Sequence, residues 1–341
     1  MTGSGRRARR WRLVLLAGLA LPIMLGSWLR TPDPLNYDGE LSIARLPDPG
    51  DDGLPVSMDV RALWQLDAPR TDFGGYSGLL ALPGGQFLAF ADKGDALRFS
   101  LPGAGRGTGH FFNVPKDPRY RREFQDIESA TRDPATGHIW LGYEAMNAIR
   151  RLEPDGSPAG MVRPLAMRHW TPNTGPEALV RLADGRFLVM NEGTGEGLLW
   201  AQDPRSGQEP ARFRYIAPHA MSVTDAAQLP DGRVLVLLRK LTLGWLPFGA
   251  GLAIADPAQI REGGNWPLEW LTGLTGPLPA DNYEALDVTQ GADGALHLWI
   301  MSDDNLAILQ RTLLAQIRWE GWQDDTKKGA TGEPGAPSKS R

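Results

Sequence analysis

PEALVRLADGRFLVMNEG, residues 176–193, holds two short apolar runs of β type around Ala183-Asp184-Gly185. An Asp-Gly step between two such runs is a hairpin signal. The same pattern recurs four more times along the chain. YSGLLALPGGQFLAFADKG (76–94) and DIESATRDPATGHIWLGYE (126–144) precede it, and TDAAQLPDGRVLVLLRK (224–240) and YEALDVTQGADGALHLWIMSDDN (283–305) follow. Aligning Ser77, Glu128, Glu177, Asp225 and Glu284 gives steps of 51, 49, 48 and 59 residues. That period suits a four-stranded propeller blade. The gaps supply third and fourth strands, such as AIRRLEP and MVRPLAM after the second block and GLLWAQ and ARFRYIA after the third. After the last block only RTLLAQIRWE remains, while SMDVRALWQL stands unused before the first. The economical solution is that residues 57–66 complete the last blade and close the ring, which removes exposed sheet edges. The fold class expected is all-β, a propeller of five blades. A sixth is possible only if the 101–125 or 240–283 stretch conceals one.

The flanks read differently. Arg6, Arg7, Arg9, Arg10 and Arg12 precede an uncharged, mostly apolar run from Leu13 to Leu29, so residues 1–30 read as a signal peptide or an N-terminal membrane anchor. The body is then expected outside that membrane, in the periplasm or another extracytoplasmic space, touching the membrane only through this segment. Residues 31–55 read as a linker, 56–322 as the propeller, and 323–341 as a disordered tail without apolar periodicity.

The chain has 341 residues, no Cys and a net charge of −4. Thiol nucleophiles, zinc–thiolate sites and disulfides are therefore excluded. Residues 1–30 hold six Arg and no acid, so the body is far more acidic than the total suggests. Such a body is a poor nucleic-acid binder and suits cations or basic groups. A small-molecule substrate and a monomer are the expectation. The five His show no metal-ligand spacing, and Ser77 in GYSGL is not a nucleophile elbow. Trp140, Trp200, Trp270 and Trp299 fall at strand positions and read as inter-blade packing.

The acids recur in phase. Glu128, Glu177, Asp225 and Glu284 occupy the aligned position near the start of the first strand, the one that lines a propeller's channel, with Ser77 in the first repeat. Seven residues after the turn glycines lie Asp92, Glu144, Glu192 and Arg239, and the fifth repeat ends in Ser302-Asp303-Asp304-Asn305. Antiparallel strands place the start of one beside the end of the next, so both registers point to one channel mouth. So many carboxylates require a compensating cation: Ca²⁺, the side chains of Arg239, Lys93 and Lys240, or a basic ligand. Ca²⁺ suits a set of hard oxygen donors. Asp133, Asp184, Asp231 and Asp293 sit at the hairpin turns and are assigned to turn chemistry.

The blocks FQDIESATRDPATGHIWLGYE, NTGPEALVRLADGRFLVMNEG and NYEALDVTQGADGALHLWIMSDDN resemble the phytase-like family, described as having esterase-like activity of phytase. The resemblance spans roughly residues 57–320. It implies a secreted β-propeller whose recurring acids cleave a phosphoester, with Ca²⁺ bridging carboxylates and substrate phosphate. The residues it carries over are Asp126, Glu128, Glu177, Glu284 and Asp303 as metal ligands, to which the repeat register adds Asp225. In the scheme expected on this site, Glu144 or Glu192 takes a proton from water and Arg239 or Lys93 stabilises developing charge. A phytate binder would want many Lys and Arg at its mouth, and this chain offers few. A carboxylic-ester or lactone hydrolase on the same channel and a non-catalytic periplasmic binding propeller are the alternatives.

Overall fold

The structure, a computed structural model, describes residues 36–102, 108–116, 126–242, 248–307 and 309–323. The expected N-terminal segment and nearly all of the expected tail lie outside the described residues. Among the described residues no helix is long and apolar enough to cross a membrane.

Five antiparallel sheets follow one another along the chain as blades. Blade 1 comprises Tyr76–Leu82, Gln86–Ala91, Asp95–Ser100 and Thr108–Asn113, and blade 2 Ile127–Arg132, Ile139–Tyr143, Ala148–Leu152 and Pro158–Val162. Blade 3 has Pro176–Arg181, Phe187–Asn191, Glu196–Trp200 and Ala211–Ile216, with Asn265–Pro267 added in parallel at its edge. Blade 4 has Ser222–Gln228, Val234–Leu241, Phe248–Ala255 and Glu269–Gly273. The 240–283 stretch is therefore spent on blades 3 and 4, and the ring has five blades. Blade 5 is assembled from both ends: Asn282–Gln290, Leu296–Asp303 and Thr312–Trp319 are joined by Met58–Asp67, with Leu63 opposite Ala315. Ser42–Arg45, inside the stretch read as linker, pairs with Met58–Asp67 as a fifth, outermost strand.

The turn glycine between the first two strands of every blade, at 85, 137, 185, 232 and 294, has φ between 72° and 94°. That left-handed backbone is the one glycine adopts without a Cβ penalty. Asp133, Asp184, Asp231 and Asp293 accept from the amides of Ala135, Arg186, Arg233 and Ala295, as turn residues do.

The first strands of the blades pack side by side in a closed ring around the channel. Side chains near their ends pin four of the five pairs of neighbouring blades together. Asp225 accepts from the Leu286 amide at 2.7 Å and Asp287 from the Ala81 amide at 2.6 Å. Thr131 accepts from the Arg181 amide at 3.0 Å, and Gln228 from the Ala183 amide at 2.7 Å. Outside this ring, an apolar cluster fills each seam between blades. Trp140 and Trp200 pack between blades 2 and 3, and Trp299 between blades 5 and 1, as the strand positions imply. Trp270 departs from that expectation: it is 40% exposed, lies over Gly251 and meets His219 edge-on.

Candidate functional site: a carboxylate-lined channel mouth

All five inner strands lose register with the second strand at the same place. The skipped residues are Ser77, Glu128, Glu177, Thr224 and Glu284. A bulge of this kind leaves one residue out of the ladder and re-aims its side chain. Two residues earlier, the partner across the hairpin is Asp92 in blade 1, Glu144 in blade 2, Arg239 in blade 4 and Asp303 in blade 5. Asp92 and Glu144 donate their amides to the carbonyls of Gly75 and Asp126. Two rings of polar side chains thereby converge on one mouth.

Their proximity shows in their hydrogen bonds and in their titration. Ser77 donates to Asp92 at 3.1 Å and to Glu284 at 3.3 Å. Asp126, Glu128 and Glu144 place carboxylate oxygens within 4.8 Å of one another. Gly175 makes room for this: a Cβ there would lie 2.4 Å from the Glu144 Cα, so only glycine lets blade 3 begin against that residue. Burial, together with neighbouring acids, pushes Glu128, Glu177 and Asp303 well above the usual carboxylate range. Asp92 and Glu144 rise to about 7, through burial first and then the charges of Glu284 and Asp126 respectively. Burial also raises Asp126 and Glu284, the latter opposed by Arg239.

Arg239 is the internal counter-charge. It donates to Glu192 at 2.9 Å, to Asn282 at 2.6 Å and to Glu284. Burial works against its charge, but Glu284 and Glu192 outweigh that and raise its pKa. The compensation is one-sided: it serves blades 3 and 5, while Asp92, Asp126, Glu128 and Glu144 on blades 1 and 2 make no hydrogen bond or ion pair with it. Glu177, only 7% exposed, makes no side-chain hydrogen bond or ion pair among the described residues, although the Arg239 charge reaches it.

Two expectations require correction. Asp225 does not belong to the mouth. The bulged position in blade 4 is Thr224, and one residue along a strand turns the side chain to a different environment. Asp225 is 1% exposed and both its oxygens are taken by the amides of Ala226 and Leu286. Spacing alone does not reveal this: 15 residues separate Ser77 from Asp92, Glu177 from Glu192 and Thr224 from Arg239, but 16 separate Glu128 from Glu144. Lys93 is exposed on the turn after Asp92, and its charge bears on Asp95 rather than on the cluster. Asp304, grouped by sequence with Asp303 at the end of the fifth repeat, joins neighbouring blades. This fully buried side chain accepts from the Gly75 amide at 3.1 Å and the Leu306 amide at 3.0 Å, tying blade 5 to the start of blade 1.

Among solved structures, the luciferin-regenerating enzyme is similar at 11% identity with a TM-score of 0.44, covering 82% of this chain and 96% of that one. A Kuenenia stuttgartiensis hydrazine synthase chain is similar at 11% identity with a TM-score of 0.39, over 68% of this chain, which spans 57% of its length. A chain of a nidogen/laminin complex gives 12% identity and a TM-score of 0.40, covering 82% and 98%. No curated protein matches the sequence. The family model described as esterase-like activity of phytase matches residues 71–306, well over half of the chain, and the protein belongs to the phytase-like family.

Proposed function

We propose that the protein is a divalent-cation-dependent hydrolase of phosphoester bonds, working extracytoplasmically on a small substrate at the channel mouth. The observation that carries this reading is the one-sided compensation of the mouth. The Asp126, Glu128 and Glu144 oxygens lie within 4.8 Å of one another and make no ion pair with Arg239, with the unpaired Glu177 beside them. A set of hard carboxylate oxygens with no internal counter-charge fits Ca²⁺. When bound there, such an ion would supply Lewis-acid polarisation of an ester oxygen.

The chain's own residues supply the rest. Asp126, Glu128 and Glu144 hold the cation, with Glu177 within reach of the same charge. Glu144 thus leaves the choice of proton acceptor to Glu192, which Arg239 steadies at 2.9 Å. Arg239 is also the one cation joined to the mouth carboxylates among the described residues, and two acids already engage it. A substrate with a single phosphoryl group therefore fits better than a polyphosphorylated one. The same scarcity of cations favours a second reading, a neutral carboxylic ester or lactone on the same site.

Hydrolysis of p-nitrophenyl phosphate, bis-p-nitrophenyl phosphate and p-nitrophenyl acetate, each with EDTA or with Ca²⁺, tests both. Ca²⁺-dependent turnover of a phosphoester, reduced at least about 100-fold in Glu128→Gln, is the expected result. Turnover of the acetate alone selects the second reading. Full phosphoesterase activity in both Glu128→Gln and Glu177→Gln overturns the proposal.

A further inference from the structure

The five seams between blades are not filled alike. Trp140, Trp170 and Trp200 occupy the seam between blades 2 and 3, and Trp266 that between blades 3 and 4. Trp319 and Trp322 fill the seam between blades 4 and 5, and Trp64 with Trp299 that between blades 5 and 1. Among the described residues the cluster between blades 1 and 2 contains no tryptophan. In the part of that seam nearest the mouth, Arg150 takes the space. It is fully buried, donates to the Pro115 carbonyl at 2.8 Å and lies over the Tyr143 ring. Towards the opposite end no described side chain replaces the missing indole, and a cavity of about 610 Å³ opens there. That volume is within the range of about 300–1,000 Å³ usual for small-molecule pockets.

The walls of this cavity are apolar: Leu88, Phe90 and Phe112 from blade 1 face Ile139 and Leu152 from blade 2. Its polar groups are mostly cationic or hydrogen-bond donating. Arg98 and His110 pair across two strands of blade 1 at the outer rim. Asp155 is the single acid of the lining among the described residues, and Ser157 donates to its Oδ1 through both amide and hydroxyl. Arg132 stands at the inner end, where it also lines a second cavity of about 420 Å³ at the lower end of the channel. Arg132 makes no side-chain hydrogen bond or ion pair among the described residues. The carboxylate that feels its charge, Asp287, has its own oxygens on the amides of Ala81 and Val288. An apolar slot that ends at an uncommitted guanidinium has a defined chemical complement.

We propose that the seam between blades 1 and 2 binds an amphipathic monocarboxylate, with its alkyl chain between Phe112 and Leu152 and its carboxylate on Arg132. The hydrocarbon takes the place that tryptophan holds in the other seams, and burying its methylenes removes apolar surface from water. A carboxylate accepts two parallel N–H donors from a guanidinium, which fixes the head. The site is separate from the acidic mouth and stands independently of the hydrolase reading.

Isothermal titration of the full chain with dodecanoate, below its micelle concentration, tests this against acetate and dodecan-1-ol. Saturable one-to-one binding of dodecanoate is expected, weakened at least tenfold in Arg132→Gln and also in Phe112→Ser. Acetate and dodecanol should each bind at least tenfold more weakly than dodecanoate. A folded Arg132→Gln protein, with an unchanged melting temperature, that binds dodecanoate as the natural sequence does overturns the proposal. So does acetate binding as tightly as dodecanoate, which would reduce the site to a small-anion contact, or the absence of any dodecanoate binding.

Discussion

The two ends of the channel carry the same residue types and treat them in opposite ways. At the mouth, Glu128 and Glu177 stand among other acids, and Glu177 has no hydrogen-bond donor among the described residues. Further along the inner strands, Asp225 and Asp287 each have both oxygens on backbone amides, one amide in their own strand and one in the next blade. Burial raises the pKa at both ends, taking Asp287 to about 6 and Asp225 well above the usual range. What differs is satisfaction. An amide-bound aspartate is a structural pin whose loss strands two N–H groups, whereas a donor-poor acidic ring is destabilising until something cationic arrives.

The largest effect is expected from removing a pin. Asp225→Ala leaves the amides of Ala226 and Leu286 without their acceptor inside the ring. At about 1–3 kcal/mol for each stranded donor, the cost is about 2–6 kcal/mol, read as a fall in the denaturant midpoint at constant slope. Asp287→Ala is expected to follow the same direction, because it unties blade 5 from blade 1 at Ala81. A pair of variants as stable as the natural protein would mean that the ring is held by its apolar seams alone.

The next effect belongs to the mouth. Ca²⁺ at a hundred times its dissociation constant should add about 2.7 kcal/mol to the unfolding free energy. For a chain of this size that corresponds to several degrees in the melting temperature. The shift is expected in the natural protein and in Asp287→Asn, and it is expected to vanish in Glu128→Gln. An equal shift in Glu128→Gln would place the cation elsewhere than the Asp126, Glu128 and Glu144 oxygens.

The ring itself was legible in the sequence because the hairpin signal repeats. Five turns of Gly-Gly, Thr-Gly or Asp-Gly type, each flanked by β runs, fix the blade count, and the orphan strand SMDVRALWQL fixes the closure. The mouth was legible where the period was strict, at Glu128, Glu177, Glu284 and Glu144. It failed at Asp225 because a bulge adds one residue, and alternation along a strand makes a one-residue error a change of face. Arg239 was visible in phase, but its bridge from Glu192 to Glu284 needs three blades at once and has no local signature. The missing tryptophan between blades 1 and 2 was equally invisible, since only the packed seams show which indole fills which gap.

The subtlest expected difference is in the sign of a substitution. A carboxyl whose pKa is higher in the folded state than the unfolded value of about 4 keeps its proton longer when folded. Between about pH 4 and pH 7 the native state then binds more protons than the unfolded chain, so stability declines as pH rises. Asp92 and Glu144, both near 7, carry the decline across that window, and Glu128, Glu177 and Asp303, raised well above the usual range, act in the same direction. In EDTA the melting temperature should therefore fall from pH 5 to pH 7.5. Glu177→Gln removes one titrating group and its repulsion of Glu192 and Glu144 while keeping the shape of the side chain. It should flatten the decline and melt higher than the natural protein at pH 7.5, the opposite of Asp225→Ala. If Glu177→Gln instead lowers the melting temperature at that pH, Glu177 is a charge that the fold requires, and the contrast between the two ends of the channel fails.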